Sequence, residues 1–267
     1  MILALDGSSG GATLVLLATE SGDVVDFALT YGTGELASRC AAMVDGKPVT
    51  AVGAVCGPGT YTGTRIAIAA ATGFASATGI PVFGVSSMDV AVACLELAGM
   101  EEGKDARTGS TSSTGSTGEL PHVCPPDGIT KAASASVGQV ALAVREAGRD
   151  RFFVGLVSEP GMGTIACDRI HLLSTDMLGQ WQGPMAGDFG QDGWHGKKAA
   201  SLARAGAMAH ADEGFFRLPV VQQFGPTKPD SLAAVLASHN SAPETANPAV
   251  GRAVALGSAR DQDGGGS

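Results

Sequence analysis

The hydrophobic pattern of the first hundred residues changes from short apolar runs to amphipathic segments. Apolar runs at residues 1–5, 12–18 and 24–29 are separated by turn residues, which predicts three strands joined by hairpins. After them the pattern alternates: helix at 35–44, strand at 51–55, helix at 63–78, strand at 82–85, and a helix that Ser86 or Ser87 caps and Gly99 ends. Gly79 is placed to stop the second of these helices.

This order of elements predicts an α/β fold with a mixed sheet. Hairpin-linked strands form its antiparallel part, and the strands that helices separate form a parallel part that those helices cover. It is the order of the ribonuclease-H-like half-domain of actin, Hsp70 and sugar kinases. We therefore expect residues 1–100 to form a first lobe of an actin/Hsp70-like fold, an expectation that does not by itself assign a function.

The rest of the chain predicts a smaller second lobe between two segments of biased composition. Residues 108–118 are eleven consecutive Gly, Ser and Thr residues, so 101–134 is predicted to be a flexible linker or insertion. A strand–hairpin–strand pattern resumes at 140, with further strands near 164–172 and 184–186, a short helix capped by Ser174 and an Ala-rich helix at 197–210. We expect 135–240 to be a reduced second lobe and 241–267 a disordered tail.

Composition excludes several classes of function. The net charge of -9 argues against unaided binding of nucleic acid, which requires Lys and Arg to replace counterions. The five cysteines show neither a CxxC metal motif nor a disulfide framework, and no apolar run approaches the length of a membrane span. These features predict a soluble cytoplasmic protein with reduced cysteines.

Candidate chemistry lies where strands meet the following loops. A glycine-rich loop between the fourth strand and the second helix allows close backbone approach, and the start of a helix favours an anion. The first strand ends in an Asp and a Ser, as in the phosphate hairpin of kinases with this fold. These residues form a tentative nucleotide, anion or partner-proximal loop: Asp6, Ser8, Gly57, Gly59, Thr62, Gly63 and Arg65. A tight turn with a surface arginine, and a loop Asp that starts a turn, are alternatives of about equal weight.

Motifs for other chemistry are missing from the sequence. The five histidines form neither an HxxxH nor an HExxH pair, no GxSxG elbow occurs, and the P-loop pattern is not met. A second phosphate loop at Gly187–Gly190 has only weak support. We expect no metal site and no catalytic residue in this chain.

Two motifs resemble the signature of the TsaB (YeaZ) family. They are Gly57-Pro-Gly-Thr-Tyr-Thr-Gly-Thr-Arg-Ile66 and Thr78-Gly-Ile-Pro-Val-Phe-Gly-Val-Ser-Ser87, and the opening strand with Asp6 and Ser8 is also similar. The similarity covers about residues 1–98 and becomes weaker in the second half. Family members usually have Asp-Thr-Ser where this chain has Asp6-Gly7-Ser8, and their first helix is longer than the one predicted here.

The resemblance implies a two-lobed protein that supports catalysis in another subunit. It implies a non-catalytic dimerisation subunit of the complex that makes threonylcarbamoyladenosine in tRNA, next to the anticodon. The partners would be TsaD, which transfers the group, and the ATPase TsaE, and tRNA would be contacted only indirectly. No cofactor is assigned to this chain, but ATP or ADP could bind at the interface with the partner. The chain alone could form a homodimer.

The partner interface and two other functions are open at this stage. In TsaB-like complexes the related subunits pair through first-lobe helices, so the apolar stripe of Leu36, Cys40 and Met43 is a tentative interface. The alternative is that this stripe packs on its own sheet. A free-standing phosphotransferase of the same fold, and an interaction protein that has left the tRNA pathway, are the other candidate functions.

Overall fold

Two sheets of related topology organise the molecule. The structure, a computed structural model, describes residues 1–31, 33–105, 140–157, 169–188, 194–211, 220–240 and 254–255. The first sheet has the order β3-β2-β1-β4-β5, with β1 antiparallel to β2 and parallel to β4. Its strands are β1 (Ile2–Ser9), β2 (Gly11–Leu17), β3 (Val24–Thr30), β4 (Ala51–Gly57) and β5 (Val82–Ser86).

Helices cover both faces of this sheet because its central strands are apolar on both sides. On one face, α1 (Leu36–Val44) and α2 (Tyr61–Thr78) pack on Leu3, Leu5 and Leu14. On the other, α3 (Ser87–Asp105) and α5 (Trp194–Ala211) pack on the alternate side chains of the same strands. The sheet is therefore the middle layer of a three-layer lobe.

The second sheet repeats the first in shortened form. Its order is β8-β7-β6-β9, and β6 is again antiparallel to its hairpin partner and parallel to the strand on its other side. The elements are β6 (Ala141–Glu146), β7 (Arg151–Val157), β8 (Ile170–Ser174), α4 (Thr175–Leu178), β9 (Met185–Gly187) and α6 (Leu232–Asn240). This architecture confirms the predicted two-lobed α/β fold with a reduced second lobe.

Local signals in the sequence account for several element ends. Gly79 adopts the left-handed conformation and its N–H donates to the carbonyl of Ala75 at 2.9 Å, as predicted for a C-terminal helix stop. The hydroxyl of Ser174 caps α4 by accepting from the N–H of Met177, also as predicted.

Other boundaries differ from the predictions. Helix α3 continues past Gly99 to Asp105, so the first residues of the predicted linker are helical, while 106–134 lie outside the described residues. Within the predicted tail, β11 (Val254–Ala255) pairs with β10 (Val221–Gln222), two strands that the sequence did not indicate. Helix α6 was also not predicted. The rest of 241–267 is outside the described residues.

Helix α5 does not belong to the lobe in which the sequence placed it. Its small side chains Ala199, Ala203 and Ala205 pack with Leu202 on the first sheet, although residues 135–240 were predicted to form the second lobe. The reason is that an Ala-rich face allows close approach to the sheet and to α3. Among the described residues, no helix has the length and apolar character needed to cross a membrane.

The apolar stripe of α1 faces the interior. Leu36, Cys40 and Met43 are buried in the core between α1 and the first sheet. Burial raises the pKa of the Cys40 thiol to about 11, so this thiol is protonated at neutral pH. The expectation that these three side chains meet a partner is corrected, because they pack on their own sheet.

This arrangement predicts that a charge in the stripe unfolds the monomer. Met43→Asp should lower the free energy of unfolding by more than about 3 kcal/mol, since the carboxylate would be buried without a partner. Ala42→Asp is the matched control, because Ala42 is exposed in the same turn and its replacement should change the value by about 0.5 kcal/mol. Chemical denaturation measures both. Similar stabilities for the two variants would show that the stripe is not core.

Candidate functional site

The end of β1 carries a buried carboxylate with local support. Asp6 and Ser8 are fully buried, and the backbone of β1 is irregular between Asp6 and Ser9. Both the N–H and the hydroxyl of Ser8 donate to Oδ1 of Asp6, at 2.8 and 2.5 Å. The pair that the sequence identified is therefore one hydrogen-bonded unit, and its second carboxylate oxygen faces the other lobe.

A guanidinium from the second lobe meets that oxygen. Arg145 lies on β6 and is fully buried; its Nη2 donates to Oδ2 of Asp6 at 2.7 Å and also to the hydroxyl of Ser8. Its Nε lies 3.4 Å from Oδ2 of Asp188, in the loop that follows β9. The carboxylate of Asp188 also accepts from the N–H of Glu146 at 2.9 Å, which fixes this loop against β6. One arginine thus joins two carboxylates from different lobes.

A second cation reaches the same place from α5. Nζ of Lys198, a buried residue, lies 3.6 Å from Oδ2 of Asp6 and donates to the hydroxyl of Ser9 at 2.5 Å. The formal charges of Asp6, Asp188, Arg145 and Lys198 therefore cancel inside the protein. Balanced charge is the condition under which such groups can be buried.

The surroundings of Asp6 favour its ionised form. Burial alone would raise its pKa, but the charges of Arg145 and Lys198 and the hydrogen bonds from Ser8 hold the pKa of Asp6 well below its ordinary value. For Arg145, burial opposes the charged form, while Asp188 and Asp6 more than compensate and raise its pKa. Both groups are charged throughout the physiological range.

This network occupies the place that a bound cation would need. In a kinase of this fold the Asp at the end of the first strand faces a magnesium ion, but here its free oxygen is bound by Arg145. Among the residues that the structure describes, no group of three or more His, Cys, Asp or Glu side chains is assembled to hold a metal ion. The residues around Asp6 therefore do not fit a magnesium nucleotide.

The glycine-rich loop brings backbone against backbone. A Cβ on Gly63 would lie 2.1 Å from the carbonyl oxygen of Gly7, and one on Gly59 would lie 2.5 Å from Ser8. The N–H of Thr60 donates to the carbonyl of Ser8 at 2.7 Å. Gly57 has a positive φ of 110° and the Gly57–Pro58 peptide is cis, which turns the chain sharply between β4 and α2. Gly59 and Gly63 are thus needed for packing against the β1–β2 hairpin, whereas a Cβ on Gly57 would lie 2.6 Å from the carbonyl oxygen of Gln223.

Arg65 and Thr62 do not join the buried network. The guanidinium of Arg65 lies 5.0 Å from the ring centroid of Tyr61 and donates to its hydroxyl. Thr62 is exposed and lines a cleft of about 390 Å³ beside the start of α2. Of the predicted residues, the structure brings together Asp6, Ser8 and the glycines, whereas Arg65 serves a separate aromatic contact.

Arg145 and Lys198 were not identified from the sequence. No motif contains them, since their relation to Asp6 arises from the packing of β6 and α5 near β1. A usable signal existed for Arg145, which is a single charge at the end of the apolar run 140–144. A charged residue that continues a buried strand generally has a buried partner.

A Ser–His–Asp contact in the second lobe was also missed. Nδ1 of His171 lies 3.0 Å from Asp230, and its Nε2 lies 2.9 Å from the hydroxyl of Ser238. Ser238 is in the last turn of α6, where its own N–H is part of the helix and the helix dipole is negative at its end. The hydroxyl of Ser238 donates to the carbonyl of Val235 at 2.7 Å and therefore accepts from His171, so the contact ties α6 to β8.

The chain is similar to one family model and to solved structures of two proteins. Residues 36–105, about a quarter of the chain, match the family "TsaD: tRNA N6-adenosine threonylcarbamoyltransferase". A crystal structure of a Pseudomonas aeruginosa protein with similarity to the peptidase YeaZ superposes with a TM-score of 0.52 at 17% identity, over 85% of this chain and 98% of that one. YeaZ from the same organism gives 0.46 at 18% identity, over 80% and 93%. No curated protein matches by sequence.

The first of these structures shows the fold, and the matched segment contains the glycine-rich motif. The predicted actin/Hsp70-like fold is confirmed. The matched segment spans α1, β4, α2, β5 and α3, and so excludes Asp6 and the whole second lobe.

The buried ion network predicts a specific dependence of stability on pH. Asp6→Asn should lower the unfolding free energy at neutral pH by about 3–5 kcal/mol, because it leaves Arg145 and Lys198 incompletely paired. Since the pKa of Asp6 is depressed in the folded state, its contribution is complete above the ordinary value of 3.8 and is lost as the pH falls below it. The difference between wild type and Asp6→Asn should therefore shrink in acid.

Urea denaturation of both proteins from neutral to acidic pH measures this difference. Asp26→Asn serves as a control, since Asp26 forms an exposed pair with Lys47 and should contribute no more than about 1 kcal/mol. A difference for Asp6→Asn that is small at neutral pH, or that grows in acid, would contradict the geometry.

Proposed function

We propose that this chain is a non-catalytic subunit of the tRNA threonylcarbamoyladenosine machinery, which pairs with a TsaD-type subunit and works with a TsaE-type ATPase. The observation that carries the proposal is the position of Arg145 between Asp6 and Asp188. In kinases of this fold, the corresponding place holds a metal ion and phosphates. In this chain the guanidinium of Arg145 occupies it. In the part of the chain that the structure describes, the scaffold is kept and the carboxylate of Asp6 is bound by Arg145 and Lys198.

Charge and histidine content agree with this role. The net charge of -9 does not favour direct contact with tRNA, so another subunit would hold the substrate. The sequence contains no HxxxH pair of the kind that TsaD-type subunits use for metal. On this proposal the protein acts in the cytoplasm, and any ATP or ADP is held at the interface with a partner.

A free-standing phosphotransferase is the less favoured alternative. It would need a metal-bound nucleotide between the lobes, and Arg145 and Lys198 compete for Asp6 at that place. An interaction protein outside the tRNA pathway would share the same scaffold. The identity of the protein that pairs with it separates that alternative from our proposal.

The outward face of α2 is the surface that we propose for the TsaD-type subunit, because the stripe of α1 is buried. Its exposed positions carry small residues one turn apart: Ala69, Thr72, Gly73 and Ser76. A face of this kind lets another helix approach closely. No atom outside the helix lies within 4 Å of the place where a Cβ on Gly73 would be, so the face is open.

Thr72→Arg should abolish pairing with a co-expressed TsaD-type subunit and leave the melting temperature of the lone chain unchanged. The arginine would be solvated in the free chain but would prevent close approach of a second helix. Met208→Arg is the control, since Met208 is 54% exposed on α5, across the sheet from α2. Co-purification and analytical ultracentrifugation report the pairing.

Two outcomes would contradict this part of the account. If wild type and the TsaD-type subunit do not associate, the proposed function is wrong. If Thr72→Arg pairs as well as Met208→Arg does, the function can stand but α2 is not the interface.

A further inference from the structure

The cleft beside the start of α2 has a composition unlike the rest of the surface. Four parts of the chain form it: the β1–β2 hairpin, the end of β3 with the start of α1 (Thr30, Tyr31 and Leu36), the first turns of α2, and the β6–β7 hairpin. Arg149 and Arg151 of the last hairpin line it, and among the described residues no Asp or Glu does. For a chain with a net charge of -9, a cleft lined by two arginines and no carboxylate is a local reversal of sign.

The nearby acidic groups are engaged or directed elsewhere. Oε2 of Glu146 accepts from the N–H of Gly10 at 3.1 Å, and Glu146 is not among the residues that line the cleft. Asp150 is exposed between the two arginines but is not among the residues that line the cleft. Among the described residues, neither of these carboxylates lines the cleft with the arginines.

Several hydrogen-bond donors there are without internal partners. The Nε of Arg151 is buried and has no acceptor among the described residues. Thr60, which precedes α2, does not cap the helix, because its hydroxyl donates to the carbonyl of Gly7 at 3.3 Å. Tyr61, Thr62 and Gly63, in the first turn of α2, line the cleft, and no side chain caps the helix there. A carboxylate supplied from outside would meet the uncapped N–H groups at the start of α2 and the guanidinium groups that line the cleft.

The surface beyond the cleft is aromatic. Tyr31 and Tyr61, which line it, are 79% and 55% exposed. Phe224 continues this surface, since its ring centroid is 6.2 Å from that of Tyr61. The guanidinium of Arg65 lies over the ring of Tyr61. Exposed tyrosine and arginine side chains are the residues most enriched where protein partners bind tightly.

We propose that this cleft binds an acidic segment of a partner protein, with carboxylates at Arg149 and Arg151 and apolar side chains on Tyr31, Tyr61 and Phe224. An extended ligand is favoured because the aromatic surface continues outside the cleft. Protein is favoured over nucleic acid because the overall negative charge repels a polyanion along its whole length, whereas a segment with a few carboxylates meets only the arginines. This inference goes beyond the pairing through α2 and uses a different surface.

Fluorescence anisotropy of the full-length chain tests the inference. The probes are a short labelled peptide of Glu, Leu and Gly, its counterpart with Gln in place of Glu, and a short single-stranded RNA. The acidic peptide should bind, the Gln peptide and the RNA should bind more weakly, and added salt should reduce the binding. Arg149→Gln should raise the Kd of the acidic peptide about tenfold, the effect of removing one charge-assisted contact.

Lys228→Gln is the matched control, since it removes one exposed positive charge outside the cleft. Tyr61→Ala should also weaken binding, which separates a specific site from general attraction. The inference is overturned if the acidic peptide does not bind, if the RNA binds more tightly, or if Lys228→Gln weakens binding as much as Arg149→Gln does. Because no TsaD-type subunit is present, failure here leaves the pairing through α2 untouched.

Discussion

The guanidinium of Arg145 lies between two carboxylates that come from different lobes, and the arrangement of the molecule depends on that contact. Asp6 is at the end of the central strand of the first sheet, and Asp188 follows the strand that borders β6 in the second. Without a cation between them, two buried carboxylates facing each other would repel and carry a large desolvation penalty. Arg145 supplies that cation from within the chain, and Lys198 adds a second charge from α5.

A protein that supplies its own cation at this place holds its lobes together without a ligand. In enzymes with a cleft between lobes, the ligand completes the charge balance and its departure can open the cleft. Here the cations that balance the carboxylates are side chains of the protein itself. The glycine-rich loop packs on the β1–β2 hairpin through backbone contacts at Gly59 and Gly63. A fixed scaffold of this kind suits a subunit that presents surfaces to other proteins.

Much of the fold could be predicted from the sequence because its signals are local. In the first lobe, the apolar runs, the hairpin turns and the glycine after α2 depend on neighbouring residues and were recognised, although α3 was predicted to end at Gly99. Helix α6 and strands β10 and β11 were missed because they are short and depend on tertiary contacts, such as that of Val235 with the second sheet. The assignment of α5 to the second lobe failed for a related reason, since a helix placed late in the chain packs on the first sheet.

The site was predictable only in part. Asp6, Ser8 and the glycines follow strands and carry recognisable motifs, whereas Arg145 and Lys198 are separated from Asp6 by 139 and 192 positions (145 - 6 and 198 - 6) and have no motif. The α1 stripe illustrates another limit. Its periodicity shows that one face of the helix is buried, but periodicity cannot distinguish the helix's own sheet from the surface of a partner.

Binding of magnesium and ATP by the purified chain tests most directly whether Arg145 has replaced the cation. Isothermal titration with ATP, with and without Mg²⁺, should give no magnesium-dependent binding, and the chain alone should not hydrolyse ATP. Magnesium-dependent binding of ATP, or its turnover, by the lone wild-type chain would contradict the account, because it would show that a metal ion has access to the place that Arg145 fills.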